Sequence, residues 1–313
     1  MIEKFERIKL GHFPTPIEYL KNITEHLNGP QIYIKRDDCT GLATGGNKTR
    51  KLEFLMPHAI NSQADLVVTV GAVQSNHARQ TAAACAILGL KCLIILEQRV
   101  VDAPKSYMTS GNVFLDKLFG AEIIICPNEK DVKEYAEEIM VERKNQGVNP
   151  YYIPVGGSNH IGELGYVECM REIIEYDKDN LFTHIMLATG SGGTHAGSIV
   201  GKTYYKSNIK IVGISVKDKK AVATEAAKNG AQIIGVHTGL DAQAAGQTPF
   251  ADLQAIASLN LGVRISVAGG LNKDTIQKTI QAGATIVVVG AAIYGAPSPA
   301  DSAKELRALV DAA

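Results

Sequence analysis

"HIMLATGSGGTHAGSIVG" (residues 184–201) runs from an apolar strand pattern through a glycine-rich turn into a small-residue helix pattern. That strand–turn–helix unit recurs along the chain, and its recurrence decides the fold. Short β-branched runs such as "DLVVTVG" (65–71), "CLIILE" (92–97), "EIIIC" (122–126), "IKIVGISV" (209–216) and "VRISVAG" (263–269) alternate with longer Ala-rich or amphipathic stretches. Helices are expected over 48–61, 76–89, 106–119, 130–146, 161–176, 194–204, 219–229, 249–259, 273–282 and 299–311. Alternation of this kind predicts an α/β fold built on parallel sheets.

The composition narrows the function classes. A chain of 313 residues can form two compact domains or one large α/β unit with an inserted lobe. Lys plus Arg (32) equals Asp plus Glu (32), which argues against a nucleic-acid partner. No stretch approaches the roughly 18 apolar residues that a membrane span needs, so no membrane partner is expected. The first residues, "MIEKFERIKLGHF", are charged and lack an apolar signal core, so the expected location is cytoplasmic. Five cysteines without regular spacing (Cys39, Cys85, Cys92, Cys126, Cys169) read as reduced thiols, with no metal site expected.

Three stretches carry chemistry. In the turn Gly190-Ser191-Gly192-Gly193-Thr194, glycines let successive N–H groups converge on an anion at a helix start, and two hydroxyls add donors. Tight packing is the alternative use of such glycines. The G-x-G-x-x-G spacing of a dinucleotide site is missing, so the turn reads as a phosphate cup without an adenosine. In "GLATGGNKTRKLEF" (41–54), Asn47 intrudes between Gly46 and Lys48 and breaks the P-loop spacing. A merely solvated helix start would set Lys48, Arg50 and Lys51 at the unfavourable end of the dipole, which favours a functional Lys48. In "GAVQSNHARQTAA" (71–83), Ser75 and Asn76 are natural helix caps. The same hydroxyl and amide can also carry a proton and bind a phenolate oxygen.

A lysine on a helix start, a separate phosphate cup and a Ser-Asn turn are together what pyridoxal 5'-phosphate requires. Residues 1 to about 216 resemble the fold-type-II pyridoxal-phosphate enzymes that include D-cysteine desulfhydrase and 1-aminocyclopropane-1-carboxylate deaminase. The matching motifs are "PTPIEYL" (14–20), "IYIKRDD" (32–38), "GGNKTRKLEFL" (45–55), "GAVQSNHARQTAA", "YYIPVGGSNHIGELGYVE" (151–168) and "ATGSGGTHAG" (188–197), in the family's order. The resemblance implies that Lys48 is the Schiff-base lysine and that Ser75 acts on the cofactor face as base or nucleophile. It also implies that Asn76 binds the ring's phenolic oxygen and that Gly190, Ser191, Gly192, Gly193 and Thr194 hold the phosphate. "QSNHARQ" and "VGGSNHIGELGY" sit closer to the desulfhydrase version.

After about Val216 the family's tyrosine-bearing loop, its "DPVYTGKA"-like segment and its final "HTGG" strand are not found. The terminal third instead resembles the last part of 3-hexulose-6-phosphate synthase, a (β/α)8 barrel of the orotidine-monophosphate-decarboxylase superfamily. "VHTGLD" (236–241), "VAGGLN" (267–272) and "VVVGAAI" (287–293) carry that likeness. It implies a second phosphate site at His237, Asp241, Gly269, Gly270, Gly290 and Ala291, at the barrel's top face. The superfamily's catalytic Asp-x-Lys-x-x-Asp has no counterpart here. The chain thus reads as a chimera whose seam falls within "IVGISVKDKKA" (211–221).

The expected organisation is a cofactor domain (1–55 with 155–216), an inserted small α/β lobe (56–154) and a partial-barrel segment (217–313). The terminal units are expected to add strands to the cofactor domain's sheet, because isolated units would leave strand faces uncovered. The expected function is carbon–sulfur lyase chemistry on a small amino acid: D-cysteine to pyruvate, sulfide and ammonia. A sugar-phosphate lyase and a non-catalytic scaffold that still binds the cofactor stand as alternatives. The assembly is left open, a homodimer among the options.

Overall fold

The computed structural model describes residues 2–100, 102–215, 219–228, 230–238 and 248–312. The chain divides into two compact units, Met1–Lys21 with Gln31–Tyr176 and Asn22–Pro30 with Asp177–Ala313. The expected strand and helix runs are present among the described residues, with boundaries shifted by a few residues.

The first unit contains a short antiparallel pair, β1 (Ile17–Tyr19) and β2 (Tyr33–Lys35), and a four-stranded parallel sheet. The sheet strands are β3 (Leu66–Ala72), β4 (Lys91–Glu97), β5 (Glu122–Ile125) and β6 (Pro150–Ile153), in the order β5-β4-β3-β6. The interiors of β3 and β4 are apolar apart from Thr69 because both of their faces are covered. Val67, Ile94 and Leu96 pack with helices α2 (Lys48–Asn61) and α3 (Asn76–Leu88). Val68, Val70, Leu93 and Ile95 pack on the opposite face with Ala136 of α5 (Val132–Asn145). The three alanines Ala82, Ala83 and Ala84 let α3 lie close to this sheet.

The order of that sheet sets the position of the site. The chain steps outward from β3 to β4 to β5, then returns to β6 on the other side of β3. Connections therefore diverge at the carboxyl ends of β3 and β6, where open α/β sheets hold their ligands. Ser75 and Asn76 follow β3, and Gly156 and Ser158 follow β6.

Helix α2 is fixed beside this opening by a buried ion network. The Arg50 guanidinium, 1% exposed, donates to Asp37 (Nε–Oδ2 2.8 Å) and to both carboxylate oxygens of Glu172 (2.8 Å each), and lies 4.5 Å from the Phe13 ring centroid. Lys35 also pairs with Glu172 at 2.7 Å, and Tyr166 donates its hydroxyl to Asp37 at 2.8 Å. Although burial pushes the Glu172 carboxyl up, Arg50 and Lys35 hold it below the ordinary range. Helix α6 (Leu164–Tyr176) carries Glu172 and crosses α2 at Gly165, where an added Cβ would lie 2.3 Å from the Arg50 carbonyl oxygen. Glycine is required there.

The second unit is a five-stranded parallel sheet: β7 (His184–Thr189), β8 (Lys210–Ser215), β9 (Ile233–His237), β10 (Arg264–Ala268) and β11 (Ile286–Val288). The strands lie side by side in chain order. β9 pairs with β8 in register Val212–Ile233, so the terminal strands extend the sheet that β7 and β8 begin, as expected. Helices α7 (Gly193–Tyr204), α8 (Lys219–Lys228) and α9 (Phe250–Ala257) connect the first four. Successive right-handed crossovers in one direction place such helices on one face. Accordingly Ala223, Leu253 and Ile256 pack on Ile234, Val236, Ile265 and Val267, and Gly213 of the same face meets His195 of α7. Helices α10 (Ile276–Gln281), α11 (Ala291–Tyr294) and α12 (Pro299–Asp311) complete the described chain.

Removing one partner of the buried network should be costly, since the remaining charge cannot be solvated. Glu172→Ala is expected to lower the unfolding free energy by about 3–5 kcal/mol. Glu175→Ala, which removes an exposed partner of Arg171, should cost less than about 1 kcal/mol. Urea titrations followed by circular dichroism compare the two, and equal losses would show that the network does not hold α2.

Candidate active site

The turn that delivers Lys48 is conformationally costly. Ala43 (φ 47°) and Thr44 (φ 69°) lie in the left-handed region, followed by Gly45 (φ 82°) and Gly46 (φ 136°). Non-glycine residues held there carry strain that surrounding contacts must offset. The contacts are specific. Thr40 Oγ1 donates to the Gly46 carbonyl at 2.9 Å and accepts from the Gly46 N–H at 2.8 Å. The Arg79 Nη2 group donates to the Gly45 carbonyl at 2.7 Å.

The same contacts join the start of α2 to the start of α3. Gln80 Oε1 accepts from Thr49 N (2.8 Å) and Thr49 Oγ1 (2.9 Å), while its Nε2 donates to the Asn76 carbonyl (2.9 Å). Lys48, Ser75 and Asn76 are thus held on two adjoining helix starts within the first unit. Ser75 does cap α3, its Oγ accepting from Ala78 N at 3.2 Å. Capping uses an acceptor lone pair and leaves the hydroxyl proton available, so the structural and chemical readings of Ser75 are compatible.

The cations of this turn are not a solvated face. Lys48 is partly buried, its Nζ donates to Asn47 Oδ1 at 2.9 Å, and burial lowers its pKa to about 8. Lys51, 1% exposed, donates to the Gly156 carbonyl (3.0 Å) and Ser158 Oγ (3.2 Å) beyond β6. Burial, reinforced by the neighbouring Lys48 charge, brings its pKa to about 7. Desolvation disfavours an ammonium, and a second ammonium nearby disfavours it further.

His77 completes this cluster as a neutral ring. Burial, then the charges of Lys48 and Lys51, hold its pKa well below the ordinary value. Thr69 Oγ1 donates to the Ile153 carbonyl at 2.8 Å, so its contact with His77 Nε2 at 2.9 Å is one in which Nε2 donates. His77 is therefore tied through Thr69, midway along β3, to the carboxyl end of β6. Arg79, Gln80 and Ser158 were not singled out from the sequence, and Lys51 was named only as a cation of the helix start, with no role of its own. Arg79 and Gln80 lie inside a quoted motif, and Lys51 stands one helical turn from Lys48, which is the signal that could have found it.

The turn 190–194 belongs to the second unit and joins β7 to α7. Gly192 is the N-cap (φ 85°, ψ −31°), its carbonyl accepts from Ala196 N at 2.9 Å, and the first turn of α7 carries no acidic side chain. The positive end of this 12-residue helix is therefore not neutralised by its own residues. In the same unit His237 ends β9, exposed and in register with Ala268. Gly269 and Gly270 follow β10, and Gly290 with Ala291 opens α11. These residues share the carboxyl edge of neighbouring strands, which pair as Ala268–His237 and Ala268–Val288. Asp241 and Val216 lie outside the described residues.

Among known proteins, the model of the family described as "Pyridoxal-phosphate dependent enzyme" matches residues 8–256. The chain is 44% identical over 219 residues to a D-cysteine desulfhydrase of Yersinia enterocolitica, spanning 70% of this chain and 66% of that protein. It is 42% identical over 244 residues to one of Klebsiella pneumoniae, spanning 78% of this chain and 74% of that protein. A solved structure of an ACC deaminase homologue matches with TM-score 0.64 and 33% identity, covering 99% of this chain and 90% of that one. The chain belongs to the family of pyridoxal-phosphate dependent enzymes.

The lowered pKa values are measurable without any ligand. Reductive 13C-methylation with NMR titration, assigned through Lys48→Met and Lys51→Met, should give midpoints near 8 and 7. Exposed lysines should titrate near about 10.4. Ordinary midpoints for both residues would show that neither amine is desolvated.

Proposed function

We propose that this member of the pyridoxal-phosphate dependent enzymes is a carbon–sulfur lyase acting on D-cysteine, with release of pyruvate, sulfide and ammonia. The observation that carries the proposal is the desolvated Lys48 amine on a strained turn, tethered through Arg79 and Gln80 to the Ser75–Asn76 helix start. The D-cysteine desulfhydrases of Yersinia enterocolitica and Klebsiella pneumoniae, at 44% and 42% identity, support the choice of substrate.

The residues fit pyridoxal 5'-phosphate chemically. Lys48 would hold its aldehyde carbon, because an amine with pKa near 8 has a far larger unprotonated fraction at neutral pH than an ordinary lysine. Asn76 would bind the phenolic oxygen, and Gly190, Ser191, Gly192, Gly193 and Thr194 would hold the phosphate on backbone N–H groups at the start of α7. When bound, the group supplies an electron sink that makes the substrate's α-proton acidic. Ser75 Oγ, with a lone pair engaged by Ala78 N, would move that proton or accept it from Lys48 Nζ. Neutral His77 adds no third positive charge beside the two lysines, which keeps Lys48 unprotonated more often than its charged form would.

The division into a cofactor domain (1–55 with 155–216), an inserted lobe (56–154) and a partial-barrel segment (217–313) belongs to this reading, as does a chimeric origin. Supporting the latter, β7 to β11 run side by side in chain order, as strands of a (β/α)8 barrel do. The hexulose-phosphate-type alternative draws on His237, Gly269, Gly270, Gly290 and Ala291 on one strand edge, but lacks an acid–base cluster. A small-molecule substrate, a cytoplasmic location and a homodimer complete the proposal.

Pyridoxal phosphate added to the protein should give a visible absorption band that is lost in Lys48→Ala, and D-cysteine should release sulfide, measured colorimetrically. Turnover is expected to fall well below that of the desulfhydrase relatives, because the segment after Val216 lacks the family's substrate-flanking motifs. No band from folded protein would overturn the lysine assignment. Comparing Gly192→Asp with Gly192→Asn isolates charge, because the two side chains bear similar backbone strain at φ 85°, ψ −31°. The carboxylate should abolish cofactor retention and the amide should keep more of it; equal retention would move the phosphate elsewhere.

A further inference from the structure

Asn76 is exposed at the first position of α3, yet its side chain is fully oriented. Its Oδ1 accepts from Arg79 Nη1 at 3.0 Å and from Asn112 Nδ2 at 2.9 Å. Amide orientation in a side chain is inferred from its partners, and here the partners leave no choice. A guanidinium can only donate, so the atoms facing Arg79 from Asn76 and from Asn112 (Oδ1, 2.8 Å) must both be oxygens. Asn112 then turns its Nδ2 to Asn76 Oδ1 and also to the Gln74 carbonyl at 2.8 Å, which can only accept. Both amides are thereby set by groups whose roles cannot invert.

With Oδ1 carrying two donors, the Asn76 Nδ2 group lies on the opposite side of the side chain, as a donor. A free asparagine could present either atom to a ligand; this one presents N–H. Arg79 in turn is held by its Gly45 contact at 2.7 Å. Asn112 lies near the start of α4 (Gly111–Leu118), so the locking contacts join α4 to the start of α3.

We propose that Arg79 and Asn112 are positioning residues that lock the Asn76 amide with Nδ2 as a donor for the phenolic oxygen of the cofactor. Selection for a ring that carries an oxygen acceptor is then built into α3 and α4, away from the lysine itself. This inference rests on the pyridoxal-phosphate reading of the site for its ligand, but not for the amide orientation.

Two measurements test it. In the ligand-free protein, the Asn76 side-chain amide signals, assigned as the pair missing from Asn76→Ala spectra, should shift or broaden in Arg79→Met and in the milder Asn112→Ala. With ligand, the wild type should bind pyridoxal phosphate about tenfold or more tighter than 3-deoxypyridoxal phosphate, a tenfold ratio corresponding to about 1.4 kcal/mol. Asn112→Ala should reduce that ratio towards one while leaving the affinity for the deoxy analogue nearly unchanged, and Arg79→Met, which also releases the Gly45 carbonyl, should weaken both compounds and still reduce the ratio. Unchanged amide signals together with an unchanged ratio in folded Arg79→Met and Asn112→Ala would overturn the proposal. Should wild type bind neither compound, the cofactor reading falls while the amide signals alone decide the positioning.

Discussion

Arg50 lies fully buried in the first turn of α2, with Asp37 and Glu172 on its guanidinium and Phe13 against its face. The charges converge from β2's flank, α2 and α6, so a displacement of any one element leaves a charge without a partner in the interior. Breaking such a set costs far more than an exposed ion pair contributes. The rotation of α2 about its axis is thereby fixed, and with it the direction of Lys48 and Lys51, the residues two before and one after Arg50. The helix start that looks electrostatically unfavourable in isolation is held there by carboxylates distant in sequence.

That constraint has a chemical consequence. A helix start crowded with three cations could be a strongly positive site, yet only Arg50 is paired with carboxylates among the residues described. Burial lowers the pKa of both Lys48 and Lys51, and the Lys48 charge lowers Lys51 further, so an unprotonated form of each is more available at neutral pH. Neutral His77, tied through Thr69 to β6, avoids adding another charge. Permanent charge is thus paired with carboxylates in the interior, while the titratable amines beside it are desolvated.

The two sheets use their parallel strands differently. In the first unit the order β5-β4-β3-β6 reverses direction, so the connections diverge at the carboxyl ends of β3 and β6, which Ser75, Asn76, Gly156 and Ser158 follow. In the second the strands follow one another from β7 to β11 without reversal, and the glycine-rich turns after β7, β10 and β11 lie along one carboxyl edge. Both arrangements put loop chemistry at strand ends, where backbone groups leave the sheet and become available to ligands.

Much of the molecule was legible in the linear sequence. The α/β class followed from alternating strand and helix periods. Lys48, Ser75, Asn76 and the 190–194 turn could be singled out because glycines, caps and a lysine mark strand-to-helix turns wherever they occur, and these are local signals. The boundaries of α2 at 48 and 61 were local too, since an amphipathic run and its turns define them. What sequence could not supply was which residues meet. That Lys51 reaches past β6, that Arg79 and Asn112 dictate the orientation of Asn76, and that an apparently exposed Arg50 is the anchor of α2 all depend on pairs separated by up to 122 positions. The same residue types read as solvated in one dimension and as desolvated in three. Burial, and with it pKa and hydrogen-bond polarity, is set by which distant chain segments exclude water, and only the tertiary structure decides that.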